Sequence, residues 1–377
     1  MQHGLAASNP IRKRKKSATA STSTSETPSA SIKRRPAKAK EDYIQRKKFS
    51  FAPVLDDGSP IKCKNVGSIL KLGSDFAGMA MESISMKSLS IDYQREFHCE
   101  KQKHCQRLLY NNDPPKILQD DVLTRDVSAT PNVDVFFCTF PCQPFSPQGN
   151  GGGINDPRGI CVFASLDYIF QKKPKIVFME NVDVILAAKH KEMLDTIRSR
   201  LLAYGYTLSE STARLTDFHI PHNRCRWHLV GIRSPARELQ WPMPLIGSTF
   251  PPITLDQIIT PLPPSLWKAI PDDESDCCKT NLKKAFQKAV DNGINPFTTH
   301  VIVDVGASPK YAVSMHNVCP TITRTRASAL GYWDSCKGGR LDTEEMSKLM
   351  GFRKADVETD KICTDRQFAA CLGNGCS

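Results

Sequence analysis

The sequence predicts an α/β fold on a mostly parallel sheet with one small inserted region, and three observations carry that expectation. From about residue 66 to Arg233, short apolar runs alternate with stretches of helical spacing, the pattern of strands joined through crossover helices. After Arg233 the texture turns Pro-rich and irregular, as in "WPMPLIGSTFPPITLDQIITPLPPSLW". Helical signals return at "TEEMSKLMGF" and "DRQFAACLG", so the α/β pattern is interrupted and then resumed. With 377 residues and 40% hydrophobic content, the chain can bury a sizeable core.

Taken in order, the elements divide the chain into four. Residues 1–48 are rich in Ser, Thr, Ala and Pro and carry the clusters "RKRKK" and "KRRPAKAK". They hold 13 of the 51 Lys and Arg residues and 3 of the 39 acids, which is +10 of the formal +12. The basic balance therefore belongs to the tail and does not argue that the folded part binds nucleic acid. A disordered basic tail is expected, its two clusters reading as a nuclear-import signal or a non-specific nucleic-acid arm, with a merely solvated tail or an organellar transit peptide as the alternatives. In residues 49–233, "VGSILKLG", "VDVFFCTF", "PKIVFMENV" and "RWHLVGIR" read as strands, and "FASLDYIFQK" and "KHKEMLDTIRSRLLAYG" as helices. Residues 234–318 are the insert, and residues 319–377 return to the main domain.

No run of about 18 apolar residues and no apolar signal-peptide core occurs, so a soluble intracellular protein without membrane contact is expected. The 14 cysteines then read as reduced thiols rather than a disulfide scaffold. The Cys-x-x-Cys knuckle is missing, and no metal site is expected.

In a sheet of this kind ligands sit at the carboxyl ends of the strands. "GSDFAGMAMES" (Gly73 to Ser83) follows a strand directly, and its small residues let a ligand approach backbone N–H groups. Glu100 in "FHCEK" and Asp121 in "LQDDV" end the next two units. Glycine turn and acids together point to an adenosine-bearing cofactor, and the phosphate-binding fingerprint is incomplete. In "CTFPCQPFSPQGNGGGINDPRG", Pro141 and Pro144 restrict the backbone around Cys142, while Gly149, Gly151, Gly152 and Gly153 supply a hinge. A thiol at a strand end near a helix N-terminus is expected to have a lowered pKa and to act as a nucleophile. No protease signature surrounds it.

"FPCQPFS", then "MENV" (Met179 to Val182), then "PHNRCRWHLVGIR" (Pro221 to Arg233), in this order, resemble the cytosine carbon-5 DNA methyltransferase family over roughly residues 66 to 377. The resemblance implies a Rossmann-like S-adenosylmethionine-dependent methyltransferase fold, with a catalytic domain in residues 49–233 and 319–377 and a target-recognition region at 234–318. It assigns Cys142 as the nucleophile on carbon 6 of cytosine and Glu180 as the acid on ring nitrogen 3, which requires a carboxyl protonated near neutral pH. Arg224 and Arg226 match the family's arginine pair, with Arg226 on the carbonyl edge of the base. Spacings of 38 from Cys142 to Glu180 and 46 from Glu180 to Arg226 bring strand ends of one sheet together. For the cofactor, S-adenosylmethionine, the resemblance places Phe76 and Gly78 beside it, Glu100 on its ribose, Asp121 near its adenine amine, Pro141 along its methionine part and Asn374 close by. Asp156 and Arg158 match a motif at the end of the glycine lid.

The pattern departs from the family at Ala80, where glycine is commoner, at Ser74, where an acid is usual, at Lys101 beside the adenine, and at His222, where glutamine is usual. The final motif, "LGNGCS", stands at the end of the sequence without the family's following helix, and weaker cofactor binding is the expectation. Double-stranded DNA is the expected partner, with the target base flipped out and Lys279, Lys283 and Lys284 either on its phosphates or on a solvated helix surface. A monomer in the nucleus, targeted by chromatin or other proteins, completes the reading. A tRNA cytosine-5 methyltransferase of the same family, or a catalytically weak regulatory scaffold, are the alternatives.

Overall fold

The chain separates into two units, Met1–Lys48 and Phe49–Ser377. The computed structural model describes residues 69–144, 158–233, 251–261 and 270–375. The basic tail and the lid glycines lie outside the described residues.

A seven-stranded sheet is built from β1 (Leu70–Asp75), β2 (Tyr93–Cys99), β3 (Ile117–Gln119), β4 (Val135–Cys138), β5 (Ile176–Val182), β6 (Tyr206–Arg214) and, after the two-residue β7 (His222–Asn223), β8 (Cys225–Arg233). Their order is β3-β2-β1-β4-β5-β8-β6. The first five run parallel, because helices Met81–Ser88, Lys103–Asn112 and Cys161–Lys172 stand between them and return the chain to the same edge. The order reverses between β1 and β4, which opens a crevice at their carboxyl ends. β8 alone is antiparallel, to β5 and to β6. Its first residues therefore arrive at the edge where β5 ends, with Arg226 opposite Val182 and His228 opposite Glu180.

One face of the sheet buries Phe97, Phe136, Met179, Trp227 and Leu229 against Leu166 and Ile169 of the helix Cys161–Lys172 and Ile197 and Leu201 of the helix Lys191–Ala203. Inside this layer Asp75, fully buried, meets Arg125 through both guanidinium nitrogens and accepts from Ser165 at 2.6 Å. Arg125 lies over the rings of Tyr168 and Phe97, at 5.0 and 5.9 Å. Burial pushes the Asp75 carboxyl up, and Arg125 opposes it. Removing one partner of such a pair strands the other charge, so Arg125→Met is expected to cost about 3–5 kcal/mol, read as a lower midpoint in urea at unchanged slope. Ser74, where the family has an acid, hydrogen-bonds His98 at 2.8 Å, and His98 in turn meets Asp113 at 3.0 Å. The position is thus part of a buried polar network on β1 and β2.

The insert is more regular than its composition suggests. The helix Asp276–Asp291 begins at Ser275, whose hydroxyl accepts from the Cys278 N–H, and buries Cys278, Leu282, Ala285 and Ala289 against Val301, Val303 and Trp333. Beneath it an antiparallel sheet runs in the order β10 (Ser314–His316), β9 (Val301–Asp304), β12 (Tyr332–Asp334), β13 (Gly339–Arg340), while β11 (Cys319–Pro320) pairs with β7. This sheet takes strands from both sides of residue 318, so the insert packs as one body well beyond that boundary. Helices Thr343–Leu349 and Asp365–Asn374 bring the chain back, burying Met346, Leu349, Phe368 and Leu372 beside Leu108. No helix among the described residues is long and apolar enough to cross a membrane.

Candidate active site

A cavity of about 480 Å³ lies at the carboxyl edge of the large sheet. It gathers residues at the ends of all five parallel strands: Phe76 and Gly78 after β1, Glu100 after β2, Asp121 after β3, Pro141 and Cys142 after β4, and Glu180 within the last turn of β5. Arg224 and Arg226 enter from the start of β8 and Asn374 from the end of the last helix, so all ten candidate residues line one space. Arg158 lines it too, whereas Asp156 lies outside the described residues.

The turn after β1 holds Phe76, Gly78 and Ala80 in the left-handed region, with φ of 58°, 56° and 56°. Only glycine adopts that conformation without strain, so Ala80, where the family favours glycine, carries some. The turn aims the Gly78 N–H at Glu100 Oε2, 2.9 Å away, while Gln102 N–H donates to Oε1 at 2.7 Å. Burial pushes the Glu100 carboxyl up, and these two N–H groups oppose it. Asp121 is held differently. Lys101 donates to Oδ2 at 2.7 Å, Leu123 N–H donates to Oδ1 at 3.0 Å, and Lys101 above all keeps the carboxyl low. The lysine that breaks the family pattern is thus the partner of Asp121.

At the other end, Glu180 and Arg226 share a face of the β5–β8 pair as diagonal neighbours. Arg226 Nε stands 3.0 Å from Glu180 Oε1, with both side chains about nine-tenths buried. Burial pushes the Glu180 carboxyl up, against the pull of Arg226 and then Arg224, the direction an acid that donates to a ring nitrogen needs. Asn181 donates to the Phe140 carbonyl at 3.0 Å, tying the end of β5 to the segment that carries Cys142.

One expectation needs correction. The Cys142 thiol is not lowered: burial pushes it up, Arg226 opposes that, and Glu180 adds to the rise. Desolvation of the sulfur outweighs the two guanidinium groups nearby, Arg226 and then Arg224. Arg224, which also lines the cavity, has a buried guanidinium that donates to the carbonyls of Ile322, at 3.1 Å, and Gly375. These bonds tie the chain beside Asn374 to the cavity wall, and its charge, after that of Arg226, favours the ionised forms of Glu180 and Cys142.

Sequence reasoning missed His222 as a structural pin. Its Nδ1 meets the Leu349 carbonyl at 2.9 Å and its Nε2 accepts from Ile322 N–H at 3.0 Å, which requires the neutral ring with the proton on Nδ1. Burial holds its pKa down to about 3. A folded-state value below the unfolded one means the unfolded chain takes up the proton first, so this stability is complete above about pH 6.5 and is lost as pH falls. At pH 5 the loss is about 2 kcal/mol. His222→Gln, which can keep both bonds, is expected to remove that share of the pH dependence of urea unfolding between pH 7 and 5; an unchanged slope would contradict it.

The family model for C-5 cytosine-specific DNA methylase matches residues 70–355. The chain is 25% identical over 287 residues to the type II methyltransferase M.HhaI of Haemophilus parahaemolyticus, spanning 74% of this chain and 82% of that one. It is 29% identical over 174 residues to M.NlaX of Neisseria lactamica, 46% of this chain but only 56% of the relative. Among solved structures, the Dnmt2 methyltransferase of S. pombe superposes with a TM-score of 0.54 at 16% identity, covering 81% of this chain and 94% of that one. The Entamoeba histolytica methyltransferase EhMeth gives 0.55 at 17% identity, covering 81% and 93%. At these identities the structural likeness is one of fold. The sequence match, however, runs through the large sheet, across the insert and into the first returning helix, Thr343–Leu349, and the chain belongs to the C-5 cytosine-specific DNA methylase family, whose methyl donor is S-adenosylmethionine.

Proposed function

We propose that the chain is a DNA (cytosine-5-)-methyltransferase acting on a flipped-out cytosine in duplex DNA. One observation carries the reading: a thiol, a buried protonatable acid and an arginine (Cys142, Glu180 and Arg226) stand at one end of the cavity that has Glu100 and Asp121 at the other. The residues fit the methyl donor. Glu100 has each oxygen fixed by a backbone N–H yet faces the cavity, leaving lone pairs for vicinal hydroxyls, and the volume suits a cofactor-sized molecule. Glu100, Asp121, Phe76, Gly78, Pro141 and Asn374 would hold it. When bound, S-adenosylmethionine supplies an electrophilic methyl group on a sulfonium.

Cys142, once its thiol proton has left to solvent, adds as the thiolate to carbon 6, and the ring becomes an enamine whose carbon 5 is nucleophilic. After carbon 5 has taken the methyl group, its proton leaves to a base, the carbon 6–sulfur bond breaks and the thiolate is released. Glu180 gives its proton to ring nitrogen 3 as charge develops there, and Arg226 steadies the carbonyl edge. Flipping the base costs a few kcal/mol, offset by these contacts. Lys279, Lys283 and Lys284, on the helix Asp276–Asp291, would position the phosphates.

The test is transfer of a labelled methyl group to duplex DNA and, in parallel, to tRNA, by the wild type and Cys142→Ala. Label on tRNA alone would overturn the substrate, and a cofactor-bound protein that labels neither would favour a regulatory scaffold. The basic clusters of residues 1–48 support a nuclear protein with chromatin or targeting partners; a fluorescent fusion of that segment left in the cytoplasm would count against it.

A further inference from the structure

Two cysteines distant in sequence meet in the cavity wall. Cys105, on the helix Lys103–Asn112, and Cys371, on the helix Asp365–Asn374, are both buried, with their sulfurs 3.5 Å apart. His104 precedes Cys105 and is half-buried, and one ligand atom from each of the three lies within 4.8 Å of the others.

The sulfur separation excludes one use and admits another. A disulfide needs about 2.05 Å, whereas two sulfurs each ~2.3 Å from one tetrahedral zinc stand roughly 3.8 Å apart. The observed 3.5 Å is a thiol–thiol hydrogen-bond contact, which is far from the first value and leaves the sulfurs close to the second. Two thiolates and a neutral imidazole also suit a soft ion and balance a double positive charge. Cys105 and Cys371 both line the cavity of Glu100 and Asn374, so a fourth ligand can come from that space. The second such cluster, His300 with Asp334 and Cys336, is a poorer one: Asp334 and Asp256 already occupy the two ring nitrogens, at 2.9 and 3.1 Å.

We propose that Cys105, Cys371 and His104 form a zinc(II) site in the wall of the cavity, its open position turned inward. Binding replaces the two thiol protons, which leave to solvent, and oxidises nothing. A bound ion links the helix that follows Glu100 to the helix that ends at Asn374, and it takes space from any other occupant. Zinc and S-adenosylmethionine therefore compete. This last step rests on the cavity being the cofactor's; the metal site does not.

The experiment titrates reduced, chelator-stripped full-length protein with zinc against a chromophoric chelator, without cofactor, and repeats it with cobalt(II) to look for thiolate charge-transfer absorption. Cys371→Ser and Cys105→Ser are each expected to weaken binding at least about a hundredfold, since even outer-shell changes cost 10–100-fold. His104→Ala, at a half-buried position, is expected to weaken it at least about tenfold and guards against loss by unfolding. Cys336→Ser should change nothing. Wild-type zinc affinity in Cys371→Ser, a cobalt complex without the thiolate band, or loss of the site in Cys336→Ser would overturn the proposal. Dialysis against labelled S-adenosylmethionine forms the second arm, with at least tenfold weaker binding expected in saturating zinc. Unchanged cofactor affinity would overturn the competition, whereas cofactor that fails to bind with or without zinc defeats the cofactor reading while the titrations still decide the metal site.

Discussion

Cys142→Ala is expected to lower methyl transfer to cytosine by about 10⁴-fold or more, because without the sulfur carbon 5 is never made nucleophilic and no other group can substitute. Cofactor binding should stay within about twofold of wild type, since Glu100 and Asp121 hold their own partners on other strands. That separation matters: Cys142 is only partly buried and borders the cavity, so a folding defect would show in both measurements. Retained transfer in the variant would remove the covalent mechanism and leave the cavity with a different chemistry.

Glu180→Gln should split reactivity from catalysis. Glu180 raises the Cys142 thiol and occupies Arg226. Removing its charge relieves the sulfur of that repulsion and frees the guanidinium to favour the thiolate. Alkylation of Cys142 by iodoacetamide at pH 7, followed by peptide mass spectrometry, is therefore expected to speed up. Methyl transfer should nevertheless fall about 10²–10⁴-fold, because the amide can donate a hydrogen bond but is too weak an acid to transfer a proton to ring nitrogen 3. Arg226→Met should slow both, since it takes away the stronger of the two positive charges that hold the thiol down. If Glu180→Gln slowed alkylation, the coupling between the two groups would have the wrong sign.

The convergence of Cys142, Glu180 and Arg226 was legible in the sequence because each lies at the end of an apolar run, and strand ends of one sheet meet. The direction of β8 was not. Alternation marks a strand but says nothing of its polarity, and it is the reversal of β8 that carries Arg226 to Glu180. Arg224 and Arg226 look alike in "NRCRW" and differ in what they meet: Arg224 donates to the carbonyls of Ile322 and Gly375, while Arg226 pairs with the Glu180 carboxylate besides donating to the Cys225 carbonyl. The second sheet escaped notice because strands of two to four residues are too short for periodicity to register. The helix Asp276–Asp291 was muted by small residues, Cys278, Ala285 and Ala289, at its buried positions. The sign of the Cys142 shift depends on how much apolar wall surrounds the sulfur, and no local motif encodes that. Cys105 and Cys371 meet only through tertiary packing, and a search for knuckle spacing passes over them.

Cys142 is expected to bond to carbon 6 of a cytosine held by Glu180 and Arg226. Duplex DNA carrying 5-fluorocytosine traps that bond, because fluorine replaces the proton that must leave before the sulfur is released. Incubation with S-adenosylmethionine, digestion and mass spectrometry should find the nucleotide on the peptide that contains Cys142, with no adduct in Cys142→Ala. An adduct on another cysteine, or efficient turnover of ordinary cytosine with no trapped species from the fluorinated duplex, would contradict the account.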